Sequence, residues 1–365
     1  VGCVPSKALI RAAEAVHRTN SHGFAGIQSA GALEDFGALS RQTSELVQTL
    51  RQQKYLDVVK DLPDVEIIEG SARFVGPREI AVGERRIQAD RVLIATGART
   101  HVPNIPGLAA TDYLITDTAF ALSEAPRSLI VLGGRYIALE CAQMFARLGV
   151  KVTVLQRSAR ILPTESPELT HQLTHCLRSE GMEIHTGVVA KRVDSVSEGV
   201  RIEAEVGGVS QILVADRLLL ATGRTPNTEG LDLEVAGVKL AKDGFIEVDD
   251  FLQTSAPDIF AAGDVVGEPM FVYTAAYEGA LAAANACAAA TTDTTKRDYK
   301  PLPWVVFTDP QVAGVGLDER QAKVAGIDAE SITLPMDKVP RALVARQTLG
   351  FLQFIRDRET DQIIG

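Results

Sequence analysis

Between Ser128 and Leu155 the hydrophobic pattern changes period twice. An apolar run, Ser128 to Leu132, meets the pair Gly133-Gly134. A helical period follows from Arg135 to Leu148, with Ile137, Cys141, Phe145 and Leu148 down one side. Gly149 stops it, and a second apolar run covers Lys151 to Leu155. Unbroken apolar runs predict strands buried on both faces, and the 3.6-residue period between them predicts the crossover helix of a βαβ unit. Such a unit points the helix start, with its unpaired N–H groups, at the place where a pyrophosphate would dock.

The run Arg91-Val-Leu-Ile-Ala-Thr-Gly97 recurs as Arg217-Leu-Leu-Leu-Ala-Thr-Gly223. Two copies predict two similar nucleotide-binding domains, whereas a solenoid would show more. A third strand, Asp258-Ile-Phe-Ala-Ala-Gly-Asp264, also ends in glycine and a carboxylate. Helical periods cover Cys3 to about Arg18 and, with an amphipathic face, Arg41 to Lys60; Val65 to Phe74 and Glu79 to Ile87 read as short strands. The polar stretch Thr291 to Tyr299 predicts a linker to a final α+β segment, which stops at Gly365 straight after Ile363-Ile364 and so reads as truncated.

At 365 residues the chain is long enough for two or three domains. With 47 acidic against 37 scattered basic residues, nothing in the composition favours a nucleic-acid surface, and no nucleic-acid partner is expected. The most membrane-like run, Tyr273 to Ala290, is broken by Glu278 and Asn285, and no secretory opening precedes the first helix, so no membrane partner and a cytoplasmic location are expected. The four cysteines, Cys3, Cys141, Cys176 and Cys287, are too dispersed for a disulfide framework or a zinc site.

Only Cys3 has a reactive setting. In Val1-Gly2-Cys3-Val4-Pro5-Ser6-Lys7, Pro5 suits a first helical turn and Lys7 falls one turn after Cys3, so helix start and ammonium would both favour a thiolate. In Gly133-Gly134-Arg135-Tyr136-Ile137-Ala138, Arg135 and Ala138 stand where a full dinucleotide fingerprint has further glycines. The second strand of the unit runs into Gln156-Arg157-Ser158-Ala159-Arg160, without the acidic residue that holds the ribose of NAD; Arg157 and Arg160 suit a 2′-phosphate, which favours NADPH.

These motifs, in this order, resemble the pyridine nucleotide-disulfide oxidoreductases over essentially the whole chain. The resemblance implies an α/β fold with two Rossmann-like domains, for FAD and NAD(P), plus a truncated α+β dimerisation domain. It apportions residues 1–120 to the FAD domain, 121–248 to the NAD(P) domain, 249–296 to a return into the FAD domain and 297–365 to the interface. Cys3 matches the flavin-side cysteine of the family's Cys-x-x-x-x-Cys stretch. Its partner cysteine and the N-terminal FAD glycine unit would lie outside this chain, so the sequence is expected to be a fragment, inactive alone. Lys7 and Glu140 are implied to pair beside the flavin, and Tyr136 to cover the nicotinamide pocket. Ala72, Thr96, Gly97, Gly263, Asp264 and Val272 are implied to line FAD, as is Lys7; Gly133, Gly134, Tyr136, Ile137, Glu140, Arg157, Arg160 and Gly223 are implied to line NADPH.

Three segments resemble the mercuric reductase branch: Arg51-Gln-Gln-Lys-Tyr55, Pro269-Met-Phe-Val-Tyr273 with Ala275-Ala-Tyr-Glu-Gly279, and Asp337-Lys-Val-Pro-Arg-Ala-Leu343. They imply a homodimer that reduces Hg(II) held on Cys3 and its partner thiol, with Tyr55 facing the metal. Tyr55 on an amphipathic helix equally suits packing at an interface. Two alternatives stand beside mercury: an NAD(P)H-dependent disulfide reductase of the dihydrolipoamide dehydrogenase or glutathione reductase type, and a flavin-binding fragment without redox turnover.

Overall fold

The computed structural model describes residues 3–289 and 293–365; the start of the expected linker, Thr291 and Thr292, lies outside them. The chain folds as two compact units, one of Val1–Tyr55, Val102–Gly223 and Pro303–Gly365, the other of Leu56–His101 and Arg224–Leu302.

The first unit is built on a four-stranded parallel sheet. Its order is Arg217–Leu220, Ser128–Leu132, Lys151–Gln156, Glu183–Thr186. Along the chain, three strands are laid down in one direction and the fourth returns to the far side of the first. The order therefore reverses between Ser128–Leu132 and Arg217–Leu220, and the carboxyl ends of these strands flank the crevice where open α/β sheets take their ligands. Leu129, Ile130, Val131, Val152, Val154 and Leu155 are at most 1% exposed, as two covered faces require.

The crossover helix, Tyr136–Arg147, corrects one expectation. Ile137 is 41% exposed, whereas every residue from Ala138 to Phe145 is buried, so the helix has no single apolar stripe. It is enclosed because the helix Cys3–Asn20 packs on it, with Leu9 and Ala13 in the shared core and the Phe36 ring stacked on Phe145 at 5.8 Å.

The second expected helix starts earlier than its charges suggest, at Phe36, because Asp35 caps it by accepting from the Ala38 N–H. At Gln52–Leu56 the chain takes a π-helical turn before Asp57–Lys60 resumes the α form. A three-stranded meander, Val189–Val196, Gly199–Val206 and Val209–Ala215, completes the middle of the unit. The final segment is α+β, with antiparallel pairs Trp304–Val306 with Val312–Gly314 and Ala329–Pro335 with Phe351–Asp357.

In the second unit, Val92–Ile94 runs parallel to Ile259–Ala261, and Ala98–Thr100 pairs antiparallel with Arg224–Pro226. The strand expected over Arg91 to Gly97 is shorter because the backbone swings at Gly97, φ +68°. Ala72–Gly76, Glu79–Val82 and Arg85–Gln88 form a meander, one strand more than the sequence pattern indicates. The helix Val272–Cys287 packs on this unit. No helix among the described residues is long and apolar enough to cross a membrane.

Candidate active site

One face of the Tyr136–Arg147 helix organises the polar chemistry of the first unit. Glu140 is 6% exposed, and its Oε2 lies 2.7 Å from Lys7 Nζ, at the start of the Cys3–Asn20 helix. Its Oε1 accepts the backbone N–H of Phe307 at 2.9 Å, and the Lys7 ammonium sits 4.5 Å above the centre of the Phe307 ring. The carboxylate thus has a charged and a neutral donor, and the cation has a carboxylate and an aromatic face. The Lys7 side chain keeps 30% of its exposure, so the pair is half-buried.

One turn further on, Gln143 accepts the Asp309 N–H and donates to the Asp309 carbonyl, both at 2.7 Å. Arg147, whose side chain is 6% exposed, pairs with Glu180 at 2.7 Å and Asp309 at 3.0 Å. Burial and this guanidinium hold the nearby His17 imidazole below its ordinary pKa. Residues 307 to 309 are therefore strapped to the helix by three successive side chains of one face.

Cys3 is exposed at the start of its helix, and Ser6 Oγ donates to its carbonyl at 3.0 Å. The Lys7 ammonium donates to Glu140 and, at 3.4 Å, to Ser6. Tyr55 is 67% exposed on the π-helical turn. Burial pushes the Cys141 thiol up to about 12 and also raises Cys176; Cys287 is exposed.

The glycine turn lies at the sheet's reversal point. Gly133 has φ +126°, and a Cβ there would lie 2.2 Å from the Ala221 carbonyl oxygen; at Gly134 it would lie 2.9 Å from the Gln156 side chain. The Tyr136–Arg147 helix opens without a side-chain cap, since Arg135 makes no cap bond, and Gly223 lies just beyond the adjoining strand at φ +117°. A bare backbone turn and an uncapped helix start at a reversal point fit a dinucleotide pyrophosphate.

The Tyr136 ring stacks on Trp304 at 6.2 Å and its hydroxyl donates to Glu165 at 3.0 Å; burial and that carboxylate push its pKa up to about 12. Arg157 is exposed, whereas the half-buried Arg160 guanidinium donates to the carbonyls of Glu165 and Pro163 and to the Thr170 hydroxyl. The two arginines expected to act together are thus engaged differently.

Apart from Lys7, the residues matched to FAD lie in the second unit. Thr96-Gly97 and Gly263-Asp264 follow the carboxyl ends of the parallel pair, joined by the Ala262 N–H to the Ile94 carbonyl at 3.1 Å. Thr96 Oγ1 donates to the Asn227 carbonyl, and Asn227 Nδ2 donates to the Thr96 carbonyl. A Cβ at Gly97 would meet nothing within 4 Å. The Asp264 carboxylate lies 3.0 Å from Arg224 Nε. Ala72 is exposed at the start of its strand, and Val272, 62% exposed, opens a helix without a side-chain cap. Open glycine backbone beside a fixed carboxylate, at the ends of parallel strands, fits the polyol and pyrophosphate of a flavin dinucleotide.

Sequence reasoning missed Phe307, Trp304, Gln143 and Glu165. Each acts across a long separation or through a backbone group, and neither leaves a period. Trp304, the chain's one tryptophan, is the member a sequence reading could have singled out.

Comparison with known proteins identifies the family. A family model described as pyridine nucleotide-disulphide oxidoreductase matches residues 1–279, and a model of that family's dimerisation domain matches 302–365. Mercuric reductases from Staphylococcus aureus and Lysinibacillus sphaericus are 42% and 40% identical over the whole chain, which spans 66% of each, just under two thirds of their length. That of Streptomyces lividans is 42% identical, with 77% of its length covered. Among solved structures, the Cu(II) complex of the HOCl-induced flavoprotein disulfide reductase from Escherichia coli superposes with a TM-score of 0.86 at 31% identity, covering the whole chain and 78% of its own. With three quarters of its length matched by one family model and the remainder by that family's dimerisation domain, the chain belongs to the pyridine nucleotide-disulphide oxidoreductase family.

Proposed function

We propose that the whole protein reduces Hg(II) to elemental mercury with NADPH, through FAD and a redox-active cysteine pair of which Cys3 is the flavin-side member and whose partner lies outside this chain. The observation that carries this reading is identity of 37–42% over the entire chain with seven mercuric reductases, against 31% with the E. coli disulfide reductase. The overall reaction balances as NADPH plus Hg(II) giving NADP⁺, a proton and Hg(0). FAD, when bound, supplies the relay between nicotinamide and thiols.

The chain's own residues have distinct parts in this reading. The thiolate of Cys3, with its partner, is a ligand set that a soft ion selects over oxygen or imidazole. Lys7, fixed by Glu140 and Phe307, holds a positive charge one turn from Cys3, and exposed Tyr55 faces the metal. Tyr136 closes over the nicotinamide, the Gly133-Gly134 turn with Ile137 and Gly223 takes the pyrophosphate, and Arg157 takes the 2′-phosphate. Ala72, Thr96, Gly97, Gly263, Asp264 and Val272 hold FAD. The protein acts as a homodimer in the cytoplasm. The match of 302–365 to a dimerisation domain supports the homodimer, as do four apolar residues on one face of a hairpin, Ile332 paired with Phe354 and Leu334 with Leu352, each 42–56% exposed.

A second reading, reduction of a small-molecule disulfide, draws on the likeness to the E. coli enzyme. The test is NADPH oxidation by the full-length protein with thiol-complexed Hg(II), glutathione disulfide or lipoamide as acceptor. Rapid turnover with Hg(II) alone is expected. Rapid turnover with either disulfide and none with Hg(II) would replace the first reading by the second.

A further inference from the structure

Glu278 is 1% exposed, within the helix Val272–Cys287. Its Oε2 accepts the Gly263 N–H at 2.7 Å, and its Oε1 accepts the Tyr299 hydroxyl. Among the described residues no cation pairs with it. The Tyr299 ring is held edge-on by Tyr277 at 6.4 Å and lies 5.5 Å from the Arg297 guanidinium, and the Tyr299 hydroxyl is made harder to ionise by burial and by the carboxylate. A buried carboxylate served only by neutral donors is expensive to desolvate, and an apolar side chain would fill the space at less cost. What the carboxylate adds is geometric: two acceptor oxygens that fix two donors from different segments at once.

One of those donors precedes Asp264. Gly263 has φ +77°, and a Cβ there would stand 3.3 Å from that of Ala275, so the turn already follows a path that few residues adopt. The Ala262 N–H is taken by Ile94 and the Gly263 N–H by Glu278, so consecutive peptides are pinned from opposite sides. The direction in which Asp264 leaves the strand follows from those two bonds.

We infer that Glu278, braced by Tyr299, is a positioning residue for the flavin-holding turn, locking the Gly263 peptide so that Asp264 is presented beside Thr96-Gly97. This rests on reading Gly263-Asp264 as part of the FAD site. Glutamine can keep the Gly263 bond through its carbonyl oxygen while its amide donates to a reversed Tyr299 hydroxyl; alanine leaves both donors without an acceptor.

The test is the FAD dissociation constant of the full-length apoprotein, from quenching of flavin fluorescence on reconstitution, with the visible flavin spectrum and the KM for NADPH as companion readouts. Glu278→Ala should weaken FAD at least tenfold, Tyr299→Phe severalfold, and Glu278→Gln less than threefold, with the KM for NADPH unchanged in variants saturated with FAD. If Glu278→Ala does not fold, Tyr299→Phe carries the test alone. Wild-type FAD affinity in Glu278→Ala or, failing that, in Tyr299→Phe, whatever the loss of thermal stability, overturns the positioning role. A wild-type protein that binds no FAD overturns the reading of the site, and the inference with it.

Discussion

The backbone N–H of Phe307 and the carboxylate of Glu140 meet at 2.9 Å across 167 residues of sequence. The bond ties the segment entering the dimerisation region to the same side chain that holds Lys7, so packing at 307 and charge at residue 7 are set by one carboxylate.

Glu140→Ala should therefore cost about 2 kcal/mol, below the usual figure for a broken buried pair because Lys7 is partly solvated. Glu140→Gln, which still offers an acceptor to Phe307, should cost roughly half as much. Denaturant unfolding measures both. Equal stability of the wild type and Glu140→Ala would show that the link contributes nothing.

The cysteines should separate by burial. Iodoacetamide at pH 8 should label exposed Cys3 and Cys287 within minutes and leave Cys141, whose thiol ionises only near 12, and Cys176 unmodified in the folded protein. Peptide mapping reads the pattern, and early labelling of Cys141 would contradict the packing around it.

Tyr136 gives a pH signature. Its folded pKa, about 12, lies above the ordinary tyrosine value of 10, so the stability contributed by its neutral hydroxyl is complete below pH 10 and lost as pH rises through 12. The stability difference between wild type and Tyr136→Phe should be constant up to pH 10 and shrink above it. A difference that shrinks between pH 7 and 9 would refute the assignment.

The two arginines after the second strand should behave differently. Arg157→Glu should weaken NADPH about tenfold or more, with little change in melting temperature, because the side chain is exposed. Arg160→Ala should lower the melting temperature instead, since its guanidinium holds two carbonyls of the following loop and the Thr170 hydroxyl of the next helix. An unchanged KM for NADPH in Arg157→Glu would remove Arg157 from phosphate binding.

What was legible in the sequence was what repeats locally. The strand-turn-helix-strand from Ser128 to Gln156 was found almost to the residue because each element carries its own period and glycines mark the joints. The meander from Val189 to Ala215 carries its own local signal, a Gly207-Gly208 pair at positive φ that closes a hairpin after the alternating run Val200–Val206. The π-helical turn left none, since one extra residue per turn does not disturb a charge pattern. Lys7 and Glu140 could be joined only through family resemblance, because 133 residues separate them and nothing local in either segment names the other.

The contact between Gly134 and Gln156 bears on how cofactor preference can evolve in this chain. A Cβ at 134 would press into the Gln156 side chain, so residue 156, the position at which an NAD site ordinarily carries an acid, also forms the floor beneath the glycine turn. On the proposed NADPH reading, nucleotide selectivity and turn geometry are therefore a single heritable trait. An exchange at 156 that reverses the preference must also fit the van der Waals envelope of residue 134, and changes confined to the exposed position 157 escape that constraint. Drift between the two nicotinamides should accordingly begin at the arginine and reach the glutamine last.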